Sequence, residues 1–323
     1  MRRRAASSMA RVCLLAVLGF LAFFPFLFMV STSMKSIPEF YRNYWLPSMH
    51  PHWVNYAEAW REVRGYLGNS IVVSSVSVAG VLVFSSLAAF ALGRMRFRGR
   101  QALYYAIIAV LMIPPILTLV PTFMVVRGMD ISLPVGEWAG RVPGLGRLVA
   151  EGPPAVPRWA AAFSSLSSWY AGAGWHLHFR LLDTLWALIL PYIAGGQAFS
   201  VFILTTFFRT MPGDLFDSAA IDGASRLRQY RYLALPLAKP VLGTVAMITA
   251  LGTWNNFIWP LVTISTPGRS VITTGLLMFG SEYGGRYGAM AAGQVIASLP
   301  LVVMFLLATR VFLRGMTAGA FKM

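Results

Sequence analysis

Two pairs of histidines are the side chains that come closest, by type and spacing, to a metal site. His50 and His52 form one pair, and His176 and His178 form the other. Each pair could turn two imidazoles toward one ion, but no carboxylate or thiolate partner lies close by in the sequence. The single cysteine, Cys13, excludes intrachain disulfides and thiolate clusters. We therefore expect ordinary loop histidines, and no metal or other cofactor.

Side chains for phosphate or acid–base chemistry are equally scarce. The lysines are Lys35, Lys239 and Lys322, and none of them follows the glycine spacing of a phosphate-binding loop. The sequence also lacks a zinc-protease helix motif and a nucleophile elbow. The chain is therefore not expected to be an enzyme. If its work requires ATP, another chain must hydrolyse it.

The rest of the sequence is dominated by long apolar runs, since 57% of the residues are hydrophobic and only 12% are charged. Runs of about 18 to 25 apolar residues have the length of membrane-crossing helices. The runs are Val12–Thr32, Ser70–Leu92, Ala102–Val126, Leu185–Phe207, Val241–Ile264 and Val295–Val311. We predict an all-α polytopic membrane protein with about six transmembrane helices.

Five of the six runs contain no Asp, Glu, Lys or Arg, and in the sixth the one charged residue, Arg310, lies next to the end of the run. A charge in the hydrocarbon region is costly and is retained where it has a function, such as a proton relay or an ion site. The uncharged runs therefore argue against a proton-coupled carrier. They also argue against an intramembrane protease with carboxylate catalysts.

Basic residues are divided unequally between the two sides of the predicted membrane. The side that holds the N terminus has 16 of the 27 lysines and arginines but 3 of the 11 acidic residues, so its loops carry +13 against +3 on the other side. Cytoplasmic loops are enriched in Lys and Arg, which predicts that both termini are cytoplasmic. The net charge of +16 is thereby explained without a nucleic-acid partner.

A polar segment, Phe216–Pro240, separates two of the runs on the predicted cytoplasmic side. Asp214 and Asp217 favour the positive N-terminal end of a helix, and Gly223 can adopt the left-handed conformation that ends one. A second short helix is expected at about Ser225–Leu233. The segment therefore predicts a pair of short helices joined by a glycine.

The surface of this pair allows two interpretations. Leu215, Phe216 and Ala219 fall at helical spacing and form an apolar ridge suited to a groove on a partner protein. An amphipathic loop lying on lipid headgroups would equally suit the basic residues that follow. These basic residues are Arg226, Arg228 and Arg231. The residue pattern alone leaves both interpretations open.

The segment DSAAIDGASRLRQYRYLALP resembles the EAA loop of ATP-binding cassette importer permeases, with an acidic residue, two small residues, Asp-Gly-Ala and a later Leu-Pro pair. Further matches are LLDTLWALILPY (Leu181–Tyr192), WNNFIWPLV (Trp254–Val262), YGAMAAGQVIASLP (Tyr287–Pro300) and FLRGMTAGAFK (Phe312–Lys322). Together they resemble sugar-importer permeases of the maltose-transporter type, specifically the shorter permease subunit. The resemblance covers nearly all of the chain except Gly128–Arg180.

This resemblance implies a type I importer permease fold in a bacterial or archaeal inner membrane, surrounded by lipid. The implied partners are a second permease subunit, a dimeric ATP-binding cassette ATPase and an extracytoplasmic solute-binding protein that delivers a carbohydrate. The resemblance assigns ATPase coupling to Leu215, Phe216, Asp217, Ser218, Ala219, Ile221, Asp222 and Gly223. Asp217 replaces the usual glutamate of the family and Ser218 its first alanine, so the docking geometry is expected to differ slightly.

Four residues of the fifth run are candidates for the translocation pathway: Trp254, Asn255, Asn256 and Trp259. Amide groups can pair with sugar hydroxyls, and aromatic faces can pack on the C–H faces of a sugar. The same residues also suit an aromatic belt and hydrogen bonds between helices. Because the family often places the main sugar contacts in the partner permease, both interpretations remain open.

The sequence divides into three regions. Residues 1–34 form the cytoplasmic N terminus and first span, 35–69 an external segment, and 70–323 the permease domain. Within that domain, 128–180 is an external insertion and 212–240 is the coupling loop. The insertion could contact the binding protein through WYAGAGW (Trp169–Trp175) or have no function. Another solute, such as glycerol phosphate, and a self-contained secondary carrier are the alternatives to a sugar importer.

Overall fold

The computed structural model describes residues 2–128, 131–134, 167–170, 176–179, 181–282 and 285–320, and the side chains of 11–128, 181–280 and 285–306. Within these ranges the chain is mainly helical. The helices in chain order are α1 (Arg2–Ser33), α2 (Ile37–Arg42), α3 (Val54–Arg94), α4 (Arg100–Val110), α5 (Leu119–Gly128), α6 (Trp186–Thr210), α7 (Gly213–Ile221), α8 (Arg226–Gln229), α9 (Leu235–Leu237), α10 (Lys239–Asn255), α11 (Ile258–Thr263), α12 (Ile272–Glu282) and α13 (Tyr287–Ala320). A π-helical stretch, Tyr230–Ala234, joins α8 to α9, and 3₁₀ turns lie at Pro115–Thr118 and Pro267–Arg269.

The structure agrees with the prediction of about six spans, and two of the candidates are bent. Four stretches are each long and apolar enough to cross a membrane: Arg11–Ser33, Val54–Arg94, Trp186–Thr210 and Tyr287–Leu306. Two bent pairs pass the same test, Arg100–Val110 with Pro115–Gly128 at 94° and Arg226–Leu237 with Lys239–Asn255 at 75°. The described residues therefore contain six candidate spans when each bent pair counts as one.

The bend between α4 and α5 follows from two prolines. Pro114 and Pro115 have no N–H with which to continue the helical hydrogen-bond ladder. Before them α4 closes in a tight turn, in which the N–H of Leu111 donates to the carbonyl of Ile108 at 2.9 Å. The predicted span Ala102–Val126 is therefore two half-helices.

The predicted span Val241–Ile264 is also divided. Helix α10 ends at Asn255, and Asn256 leaves the helix with an extended ψ of 124°. Helix α11 then begins at Ile258. The polar pair Asn255-Asn256 thus marks the interruption of an apolar run.

The chain divides into two compact units, with divisions inside α3, before α12 and inside α13. The first comprises Met1–Gly68 and Val271–Met304, and the second comprises Asn69–Ser270 and Phe305–Met323. In the first unit, the side chain of Lys35 is 1% exposed, and its Nζ donates to the carbonyls of Asn43 at 2.9 Å and Tyr44 at 2.7 Å. Burial lowers the pKa of Lys35, against the opposing charge of Glu39.

The second unit has an apolar core between α3 and α6. Small residues bring the two helices close, because a Cβ at Gly196 would collide with Val81 and a Cβ at Gly80 would collide with Ile193. Small residues at such crossings are the usual means of packing helices in a membrane, where the hydrophobic effect offers little drive. The core continues through Leu204 to Phe216 in the predicted coupling loop that follows α6.

A small sheet interrupts the helical architecture within the predicted insertion 128–180. Its strands are β1 (Ile131–Pro134), β2 (Ser167–Tyr170) and β3 (His176–Phe179), in the order β1-β3-β2. Both pairings are antiparallel, with Phe179 opposite Ile131 and Ser167. The helical pattern of the spans gave no sign of this sheet. The side chains of the predicted aromatic contact surface Trp169–Trp175 lie outside the described residues.

Candidate functional site

The first arm of the predicted coupling loop is α7, which ends in a glycine turn. Gly223 has a φ of +78°, the left-handed conformation expected from the sequence. Its N–H donates to the carbonyl of Ala220 at 3.1 Å, and the N–H of Ala224 donates to the carbonyl of Ala219 at 2.8 Å. This pair of bonds is the Schellman arrangement, which satisfies the last carbonyls of the helix. Gly223 therefore fixes where the first arm stops.

The second arm begins at Ser225, whose hydroxyl accepts a hydrogen bond from the N–H of Arg228 at 3.4 Å. Gln229 in this arm is buried, and its Nε2 donates to the carbonyls of Phe216 at 3.4 Å and Ala224 at 3.2 Å. Its Oε1 accepts from Nη1 of Arg226 at 3.0 Å. A buried amide with both ends satisfied stabilises one arrangement of the two arms.

Phe216 does not lie on an exposed ridge as the helical spacing suggested. It is 4% exposed and belongs to the core of the second unit. Its ring centre is 6.3 Å from that of Phe90, which also contacts Tyr230 at 5.4 Å. The exposed-ridge interpretation of Phe216 is therefore wrong, because the face of α7 that carries this ring packs on the chain itself.

Other apolar side chains of the loop are exposed instead. Ile221 is 87% exposed, Leu227 is 68% exposed and Leu215 is 44% exposed. Asp217, Ser218, Asp222 and Gly223 are also exposed, and Ala219 is partly buried. Of the predicted coupling residues, the structure thus brings all but Phe216 at least partly to the surface. Leu227 is an exposed residue that the prediction did not include, because it follows the EAA-like core of the motif.

The predicted pathway residues around the end of α10 fall into two groups. Trp254 and Trp259 are buried within the chain, whereas Asn255 is exposed and Asn256 is partly buried. Asn256 Oδ1 accepts a hydrogen bond from the N–H of Trp259 at 3.2 Å and so caps α11. Both indole rings are thus covered by the chain's own residues, and Asn255 is the candidate that offers its side chain freely.

Trp259 supplies a hydrogen bond that α6 cannot make for itself. Its Nε1–H donates to the carbonyl of Ala187 at 3.0 Å, and both residues are buried. In a regular helix that carbonyl would accept from the residue four positions later, which here is Pro191 and has no N–H. The indole therefore satisfies the carbonyl that the proline leaves without a helical donor.

A charged cluster outside the predicted site joins the start of α6 to the loop after α11. Asp183 has a φ of +60°, and its Oδ1 accepts from the N–H groups of Ser265 and Thr266, each at 2.8 Å. Its Oδ2 accepts from the hydroxyl of Thr266 at 2.6 Å and forms an ion pair with Arg269 at 3.3 Å. Burial raises the pKa of Asp183, but the bonds from Thr266 and Ser265 and the charge of Arg269 outweigh it, so the pKa is lowered overall.

This cluster borders a cavity of about 380 Å³ whose lining includes Phe123, Thr184 and Val262. The sequence signal that could have revealed the cluster is an acidic residue directly before a predicted span, in LLDTLW, with a basic residue in the loop after α11. Of the four donors to the Asp183 carboxylate within the described residues, two are backbone N–H groups, which leave no trace in a residue pattern.

Three comparisons describe the relatives of this chain. Residues 82–317 match the family described as binding-protein-dependent transport system inner membrane component. The chain is 28% identical to the diacetylchitobiose uptake system permease protein NgcG of Streptomyces coelicolor, over 99% of this chain and 90% of the relative. It is 26% identical to the melibiose/raffinose/stachyose import permease protein MelC of Bacillus subtilis, over 100% of both.

Structure comparison gives the same fold. A chain in the crystal structure of a bacterial ABC transporter involved in the import of the acidic polysaccharide alginate matches with a TM-score of 0.71 and 17% identity, over 97% of this chain and 98% of that one. The family match covers most of the sequence, and the relatives align over nearly their whole length. The chain therefore belongs to the family of binding-protein-dependent transport system inner membrane components.

Proposed function

We propose that this chain is the pore-forming permease subunit of an ATP-driven, binding-protein-dependent carbohydrate importer. Family membership supports a role in solute transport with a binding protein. Carbohydrate as the substrate class is supported by the relatives, which are named as permeases for diacetylchitobiose and for melibiose, raffinose and stachyose. The uncharged interiors of the spans favour a neutral solute over glycerol phosphate, since a phosphate is usually bound by Arg or Lys.

The observation that carries the proposal is the exposed apolar surface of the cytoplasmic loop. Ile221 and Leu227 are exposed at the tips of two short helices whose mutual arrangement is fixed by Gly223 and Gln229. Exposed apolar groups on a structured loop are typical of a docking surface. A separate ATPase subunit is the proposed partner, because the sequence has no phosphate-binding loop of its own.

In this mechanism the ATPase subunits bind the coupling loops and move them when they close on ATP. The loop arms then displace the spans that follow them, and a cavity open to the cytoplasm becomes open to the outside. The binding protein delivers the carbohydrate on the external side. Asn255, whose amide is exposed at the end of α10, is the proposed contact of this subunit with the solute. Both termini lie in the cytoplasm.

Co-purification with a candidate ATPase subunit and second permease tests the docking surface. Ile221→Asp is expected to release the ATPase while the two permeases remain together, because a charge replaces an apolar docking contact. Met49→Asp is a matched control, because Met49 is also 87% exposed but lies in the predicted external segment. Retention of the ATPase by Ile221→Asp, or its absence from wild-type complexes under all conditions, would contradict the proposal.

ATP hydrolysis by the reconstituted complex tests the substrate class. A binding protein loaded with a neutral oligosaccharide is expected to stimulate hydrolysis, and one loaded with glycerol phosphate is not. Stimulation by glycerol phosphate alone would replace the carbohydrate proposal. Uptake that persists without any ATPase subunit would instead support a self-contained carrier.

A further inference from the structure

Arg94, the last residue of α3, contacts the start of the coupling loop in two ways. Its guanidinium carbon lies 4.3 Å from the centre of the Phe216 ring. One of its terminal nitrogens, Nη2, donates a hydrogen bond to the carbonyl of Met211. The Nε atom is buried and has no hydrogen-bond partner among the described residues. The aromatic face and the carbonyl are therefore the main compensation for removing this part of the cation from water.

Arg94 is one of three residues that α3 directs toward the loop from successive turns. Ser86, Phe90 and Arg94 are spaced by four residues and so share one face of the helix. The hydroxyl oxygen of Ser86 lies 2.7 Å from the hydroxyl oxygen of Tyr230, and Phe90 contacts the rings of Phe216 and Tyr230. The stripe Ser86–Phe90–Arg94 therefore contacts the first arm at Phe216 and, at Tyr230, the π-helical stretch that directly follows the second arm.

The contacts made by this stripe can transmit a displacement of the coupling loop to α3. Phe90 and Phe216 are buried in the apolar core, and close-packed groups cannot approach or separate without moving their neighbours. Asp217 also lies close enough to attract Arg94, but it is exposed, and exposed ion pairs contribute little. The ring contact and the bond to Met211 thus account for most of the attachment at this end of α3.

We propose that Arg94 is a positioning residue that fastens the coupling loop to α3, so that movement of the loop by the ATPase moves α3 with it. The proposal rests on the proposed importer function, because it assumes that the loop is displaced by an ATPase. It assigns to Arg94 no contact with the solute or with ATP. Its role is to keep the loop and the helix as one moving part.

Three variants separate this role from a merely structural one. Arg94→Gln removes the cation, Arg94→Lys keeps the charge but not the planar guanidinium, and Phe216→Leu keeps an apolar side chain but removes the aromatic face. Arg98→Gln is the matched control, because Arg98 is an exposed arginine in the loop between α3 and α4, four residues after Arg94. Each is measured in the full complex as solute molecules transported per ATP hydrolysed.

The expected result is a loss of coupling with assembly intact. Arg94→Gln and Phe216→Leu should each lower the transported solute per ATP by about tenfold, the factor expected for loss of a desolvated cation–π contact. The solute transported per ATP by Arg94→Lys should lie between the values for these two variants and the wild-type value. Arg98→Gln should transport as much solute per ATP as wild type. The effect of combining Arg94→Gln with Phe216→Leu should be smaller than the sum of the two single effects, because both remove the contact between the guanidinium and the ring.

A distance measurement tests the attachment independently of transport. Spin labels are placed at the exposed positions Leu87 in α3 and Asp214 in α7 of a chain whose single cysteine, Cys13, is replaced by serine, in a complex whose other subunits are likewise freed of cysteine. Arg94→Gln, or Arg94→Lys if the first variant does not assemble, should broaden the distance distribution between the labels. An unchanged distribution together with unchanged solute per ATP would overturn the proposal. If the wild-type complex showed no ATP-dependent transport, the importer function would fail, whereas the distances would still report on the attachment.

Discussion

At the scale of single residues, a substitution at Gly223 tests the importance of one backbone torsion angle, φ. Its φ is +78°, and a Cβ added there would meet nothing within 4 Å, so any effect of a side chain arises from the backbone. A left-handed conformation costs an ordinary residue about 1–2 kcal/mol, and a β-branched residue adopts it with more difficulty. We predict that Gly223→Val abolishes most solute uptake in membrane vesicles while the chain reaches the membrane in normal amounts.

Two controls accompany this substitution. Gly223→Asn should retain most uptake, because asparagine tolerates the left-handed region. Gly213→Ala, at the start of α7, should be neutral, because a Cβ there would lie 3.9 Å from the nearest atom, Asp217 Oδ2. Normal uptake by Gly223→Val would show that the torsion is dispensable.

The carboxylate of Asp183 is expected to make the stability of the folded protein depend on pH. Its folded-state pKa is lowered, so its contribution to stability is complete above the unfolded value of about 3.9 and is lost as the pH falls through the folded-state value. We predict that wild-type protein loses stability in this acidic window, whereas Asp183→Asn lacks that step and is less stable by about 1–3 kcal/mol at neutral pH. Denaturation of the detergent-solubilised protein across this range measures both effects.

Asparagine is the appropriate replacement because it also tolerates the φ of +60° observed at this position. The substitution therefore removes the charge and leaves the backbone conformation accessible. Arg269→Gln provides a second comparison, since it removes the ion pair but leaves the backbone bonds to Asp183 in place. An acid transition of the same size in wild type and Asp183→Asn would show that other carboxylates dominate it.

At the scale of elements, α6 depends on a donor from another helix. Trp259→Phe would leave the buried carbonyl of Ala187 without its hydrogen bond, at a cost of about 1–3 kcal/mol. We predict a corresponding loss of stability in Trp259→Phe, measured by denaturation in detergent. Adding Pro191→Ala should restore part of the loss, because residue 191 then regains an N–H for the same carbonyl. Absence of rescue would mean that the indole acts through its packing.

The coupling loop shows which parts of an element a sequence can predict. The two arms, the stop at Gly223 and the start at Ser225 follow from local chemistry: negative charge near a helix N terminus, a glycine with positive φ and a hydroxyl cap. The direction in which α7 turns Phe216 does not follow, because helical spacing defines faces but not which of them meets the chain's own core. That choice depends on Phe90 and Arg94, more than a hundred residues away in sequence.

Long-range partners limited the other predictions in the same way. The run Val241–Ile264 was recognisable as apolar, and its Trp and Asn residues as unusual. The roles of Trp259 and Asn256 nevertheless required the position of Ala187 and the break after Asn255. The strand β1 pairs with β3 across more than forty residues, beyond the reach of local patterns. The strands β2 and β3 pair locally, but the helical spacing of the spans gives no sign of them.

At the scale of the whole molecule, the distribution of basic residues predicts the orientation in the membrane. In a chain with Cys13 replaced by serine, a cysteine at Met49 should react with a membrane-impermeant thiol reagent added to intact cells. A cysteine at Arg98 should react after the membrane is opened, because the loop between α3 and α4 is expected in the cytoplasm. Both positions are exposed within the chain, so their own burial does not prevent labelling. The reverse pattern would invert the proposed topology.

The bend between α4 and α5 also has a consequence for biogenesis. With 11 and 10 residues, these helices are each about 16 Å long or less, roughly half the thickness of the hydrocarbon region. Neither can be recognised alone as a membrane segment, so the insertion machinery must receive both as one continuous hydrophobic stretch. The 94° angle between Arg100–Val110 and Pro115–Gly128 leaves backbone groups at the prolines that need protein surroundings within the hydrocarbon region. We therefore expect the bend to form after the segment has been delivered into the bilayer.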